Sequence, residues 1–141
     1  MFAAVPLLAL PILAYNLAVL TLAGGWRSQE ASIRMSEPIF SVAMNTGVAW
    51  PVTLGDMLVS AGLVVLFVEL LKSRASRRSA IVNQGLSMLL FVGCVVEFLL
   101  APAFATSTFF ILTVMVLLDV LAGFVAMIAP ARRDADLGDA L

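Results

Sequence analysis

The chain has 141 residues, of which 62% are hydrophobic and 12% charged, and its net charge is −1. A soluble domain carries about a quarter charged residues, so a mean hydropathy of +1.10 reads as an integral membrane protein whose first partner is the lipid bilayer. The near-neutral charge argues against a nucleic-acid surface. The absence of histidine removes the commonest ligand for haem, copper and zinc, and the lone Cys94 makes neither an intrachain disulfide nor a zinc site, so no cofactor and no metal is expected.

Four segments are long enough to cross a hydrocarbon core of ~30 Å at ~1.5 Å per helical residue. They are residues 3–22, 52–71, 80–101 and 107–128. Lipid cannot satisfy unpaired backbone groups, and the alternation of a spanning β-strand is absent. The expected fold is therefore all-α, a four-helix transmembrane bundle forming one membrane domain over 1–130, followed by a short polar tail, 131–141. That Asp-rich tail is expected to fray.

In the first span, Pro6 and Pro11 suit a helix that starts late or bends early. The segment lacks a basic leading region and is longer than the apolar stretch of a signal peptide, so it reads as a span. The next 29 or so residues, 23–51, are long for a helix–helix connection. Two β-prone runs, Ile39–Met44 and Val48–Val52, flank Asn45-Thr46-Gly47. Glycine at the third loop position predicts a β-hairpin with Gly47 in the left-handed region, supported by the bundle or by the membrane interface.

Basic residues set the orientation. Lys72, Arg74, Arg77 and Arg78 lie between the second and third spans, and Arg132 and Arg133 follow the fourth. Only Arg27 and Arg34 lie in the first connection. An excess of Lys and Arg marks the cytoplasmic side, so both termini are expected there, with Trp26 and Trp50 at the outer interface of an inner membrane.

Four acids fall within the spans. Asp56 lies three residues after Thr53, the spacing of a helix-capping box. Glu69 continues a seven-residue spacing from Gly55 and Gly62, a seam for close helix packing, and Lys72 lies three residues on, within ion-pair reach. Glu97 shares its helix face with Gly93, Ala101 and, further back, Asn83, again a protein-facing stripe. Asp119 sits at the middle of the fourth span with Ala122, Gly123 and Ala126 on its face. An ionised Asp at that depth costs ~2.5–3.5 kcal/mol, so Asp119 must point into protein. It is expected either as a neutral hydrogen-bond donor, with Asn16 as its partner, or on a hydrated path as a proton or cation ligand.

Glu97 and Asp119 differ in depth by ~12 Å, too far for a catalytic dyad. The size and span count are similar to those of the small multidrug resistance transporters, but that family centres on an acid in the first helix, and here the first helix has none. The functional expectation is a non-catalytic inner-membrane accessory, assembly or scaffold subunit, packing against copies of itself or within a larger membrane complex. The alternative is a proton- or cation-coupled small-solute transporter or channel acting as an oligomer.

Overall fold

The computed structural model describes the backbone of residues 5–72 and 77–138, with side chains for 5–72 and 80–128. The protein is mostly helical, and three of its helices are long and apolar enough to cross a membrane. These are α3 (Leu54–Lys72), α4 (Arg77–Leu100) and α5 (Ser107–Gly138). A shorter apolar helix, α1 (Ala9–Leu22), packs against α3 and α5.

Helix α1 has 14 residues and is ~21 Å long, so it begins later than the expected start at residue 3. The chain turns through Pro6–Leu8 first, and Pro11 is tolerated because it falls in the first helical turn, where an N–H is not needed. Residues 1–4 and 73–76, part of the first span and of the basic loop, lie outside the described residues.

The connection after α1 contains a helix that composition did not announce, α2 (Ala31–Ser36). Its buried residues Ala31 and Met35 are one turn apart and face the core. The Met35 carbonyl lies 3.0 Å from where a Cβ on Gly55 would stand, so the glycine lets α2 sit on the first turn of α3. The hairpin follows. Strand β1 (Pro38–Ala43) pairs antiparallel with β2 (Ala49–Thr53), in the register Phe40↔Val52, Val42↔Trp50 and Ala43↔Ala49. Gly47 has φ +81°, and its N–H bonds the Met44 carbonyl at 3.0 Å. Period-two alternation puts Phe40, Val42 and Met44 on one face with Val48, Trp50 and Val52, and the hairpin is exposed along nearly all its length.

Strand β2 runs directly into α3, whose start is a capping box. The Asp56 N–H donates to Thr53 Oγ1 at 3.1 Å, and Asp56 Oδ2 accepts the Thr53 N–H at 3.0 Å. At the far end of the chain, α5 does not stop at Ile128. The expected frayed tail is instead helical through Gly138, and the Ala, Arg and Leu residues after Pro130 favour that continuation.

The aromatic core lies at the hairpin end. Tyr15, Phe104 and Phe109 form a triangle with ring centroids 4.8–5.6 Å apart. The Tyr15 hydroxyl donates to the Ala103 carbonyl at 3.0 Å and lies 2.6 Å from Thr106 Oγ1. Thr106 in turn caps α5 by accepting the Phe109 N–H at 3.2 Å. One phenol thus ties α1 to the turn between α4 and α5.

Candidate functional site

The polar groups of the span-length helices fall into three levels along the bundle axis. The level nearest Lys72 is built on α3. Gly55, Gly62 and Glu69 recur every seven residues and are all buried. A Cβ on Gly62 would lie 2.8 Å from Leu112 Cδ2 and 3.0 Å from Met115 Sδ, so this seam faces α5 at close range. Glu69, at its end, has no exposed surface. Its Oε2 accepts the Leu7 N–H at 2.7 Å, and its Oε1 accepts Asn83 Nδ2 at 2.9 Å.

Leu7 stands just before α1. The first N–H groups of a helix lack partners and carry the positive end of its dipole, so Glu69 holds the start of α1 from 62 residues away. The expected ion pair of Glu69 with Lys72 does not form, because the Lys72 ammonium reaches the Val5 carbonyl instead, at 2.8 Å. Among the described residues the one ion pair is Arg34 with Glu37, 3.1 Å apart on the surface of α2.

The middle level joins α4 to α5. Ser87 Oγ donates to Asp119 Oδ2 at 2.7 Å, and both side chains are buried. Gln84 Nε2 donates to the Val120 carbonyl at 2.8 Å, and the Gln84 side chain fills the space over Gly123. Asp119 therefore points into protein, but its partner is Ser87 and not Asn16. The reason is depth: Asn16 lies nearer the hairpin end.

The third level is Asn16 with Glu97, joined by a 3.3 Å bond from Asn16 Nδ2 to Glu97 Oε2. The same amide also donates to the Ile12 carbonyl at 3.2 Å. Both residues line a groove of about 710 Å³ between α1 and α4, otherwise apolar. Gly93 lines it too, and that corrects its expected role. A Cβ on Gly93 would meet nothing within 4 Å, because α1 does not close onto this part of α4. The shared stripe of Asn83 and Glu97 is real in period, but the two side chains bond different helices.

Sequence reasoning missed Gln84, Ser87, Tyr15 and Thr106. For the first two a signal existed: "NQGLS" brings three polar side chains to positions i, i+1 and i+4 of an apolar span, two of them one turn apart. For Tyr15 the signal was a phenol within lipid-length apolar sequence, which needs a partner for its hydroxyl.

The arrangement offers acceptors and donors on carboxylates, amides and a hydroxyl. Among the described residues no three His, Cys, Asp or Glu side chains converge. Comparison with family models, with curated proteins and with solved structures finds no match.

Proposed function

We propose that the chain is a four-helix inner-membrane protein, with α1, α3, α4 and α5 crossing the bilayer and both termini cytoplasmic, and that it is a non-catalytic accessory, assembly or scaffold subunit. One observation carries this reading. Among the described residues, the acids of the span-length helices are engaged in contacts within the chain, to Thr53, Leu7, Asn83, Ser87 and Asn16, while the outward faces carry bare apolar side chains such as Leu63, Phe67, Leu89, Leu99 and Val125. Polar side chains turned inward and apolar ones outward are what a bundle in lipid requires. Helix α1 is short for a span, and the bilayer thins or flanking residues bridge the difference at modest cost.

Photo-crosslinkers placed at Leu99 and Val125 in native membranes test the subunit reading. A crosslink to a second copy or to another membrane protein is expected, and a chain that stays uncrosslinked at both positions overturns it. Reporter fusions at Arg78 and Leu141 should both report cytoplasm. A second reading, proton- or cation-coupled transport by an oligomer, has its own support: Asp119 is held at mid-span by a hydroxyl, and no base is bonded to it among the described residues. Ion flux in vesicles containing only this protein would move the assignment there.

A further inference from the structure

We propose that the buried layer between α3, α4 and α5 binds one positive charge, a proton or a sodium ion, among Glu69, Asn83, Ser87 and Asp119. The site requires only occupancy at equilibrium and does not depend on transport.

The first argument is charge. Glu69 is 0% and Asp119 5% exposed. Two buried carboxylates, with the Lys72 ammonium turned to the Val5 carbonyl, place negative charge in a medium of low dielectric, where an uncompensated charge is expensive. A monovalent cation or a proton offsets it. No other titratable side chain faces the layer at close range among the described residues. Helix α4 contributes Cys94 and Glu97 well toward the hairpin end, and α1 contributes Tyr15, which is bonded at that end.

The second argument is an unmet hydrogen-bonding valence. Asn83 is 92% buried, and its Nδ2 is committed to Glu69, yet its Oδ1 has no partner. A buried acceptor without a donor has lost its bonds to water and gained none in return. Turning the amide over does not remove the problem. It would orphan Nδ2 instead and aim Oδ1 at the Glu69 carboxylate, which can then be satisfied only by a proton on Glu69. In either orientation the layer lacks one positively charged or proton-bearing group.

The third argument is ligand chemistry and position. Asn83 and Ser87 are one turn apart on the same face of α4, and they bond Glu69 and Asp119 respectively, so α4 carries the two acid-bearing levels next to each other. Carboxylate, amide and hydroxyl oxygens suit hard alkali cations and protons, not thiophilic metals. Glu69 lies three residues, or ~4.5 Å of rise, from Lys72 at the helix end.

An occupant that binds the folded chain and not the unfolded one raises the melting temperature. The full-length protein in detergent is melted with sodium exchanged for N-methylglucamine at constant ionic strength, and separately across the neutral pH range without sodium. In the wild type, isothermal titration with sodium chloride and the infrared C=O stretch of a protonated carboxyl are recorded as well. For sodium, melting should rise by roughly 5 °C or more near saturation, with a titratable heat. For a proton, the folded chain holds more protons than the unfolded one, so melting should fall as pH rises, and the infrared band should be present. Either response should vanish in Asp119→Asn and in Glu69→Gln. A wild type indifferent to both sodium and pH, with neither heat nor band, overturns the proposal. So does a response that survives unchanged in both variants.

Discussion

Replacing Glu69 probes the start of α1 directly. Glu69→Leu removes the acceptor of a part-buried donor, the Leu7 N–H, and of a buried one, the Asn83 amide, which it bonds at 2.7 and 2.9 Å. Each donor left without a partner costs about 1–3 kcal/mol, so the loss should be about 2–6 kcal/mol, offset only in part by the added apolar surface. Glu69→Gln should behave differently. The new amide oxygen can keep the Leu7 N–H, and its NH₂ can donate to Asn83 Oδ1 once the Asn83 amide turns over. The contact between the two side chains is then kept, and the unpartnered atom of Asn83 is Nδ2 in place of Oδ1, so the cost falls to about 0–1.5 kcal/mol. Adding Asn83→Leu removes that repair, so the double variant should lose about 0.5–3 kcal/mol beyond the sum of the single ones. Thermal melting in detergent measures the ranking, and amide hydrogen exchange at Ala9–Ile12 reports whether α1 frays from its start. Equal melting of the Leu and Gln variants would refute the reasoning, because it would mean that Glu69 does not hold α1.

Three further outcomes are expected. Tyr15→Phe keeps the aromatic triangle but leaves the Ala103 carbonyl and Thr106 without the phenol, and should lower stability by about 1–3 kcal/mol in thermal melts. Gly62→Leu should destabilise by ~1–3 kcal/mol or more through overpacking against Leu112 and Met115, whereas Gly93→Leu, facing the open groove, should melt within about 0.5 kcal/mol of the parent; equal effects would mean that the α3–α5 contact is not close. Gly47→Val forces a β-branched residue to φ +81°, so it should disorder the hairpin, seen as faster proteolysis of residues 38–53, while membrane insertion is unchanged.

What could be read from the sequence was local. The three long apolar helices follow from hydropathy, the hairpin from Gly47 between two β-prone runs, and the capping box from Thr53 and Asp56 three residues apart. The partners of the acids were not legible, because they lie far away in the chain and some are backbone. Leu7 offers Glu69 an N–H that no side-chain pattern marks, 62 residues distant, and Asn16 meets Glu97 across 81. Gly62 and Gly93 look alike in sequence, each a glycine in an apolar helix. Only the positions of α1 and α5 decide that one is pressed against side chains and the other faces a groove. The extent of α5 was hidden for another reason. The polar, Asp-rich composition of the tail read as a stop, although it does not forbid a helix already propagating from an apolar span.

The junction between Thr53 and Leu54 has a mechanical consequence. The last strand residue and the first helical residue are adjacent, so no linker can absorb a rotation, and the capping box locks the corner further. The hairpin and α3 therefore share their tilt. A strand of five residues is an arm of ~17 Å, and a 10° swing of α3 carries the Asn45–Gly47 tip by ~3 Å. Small rearrangements along the α3–α5 seam are thus displayed, enlarged, at the tip of an apolar paddle, the part of the molecule best placed for a neighbour to sense them.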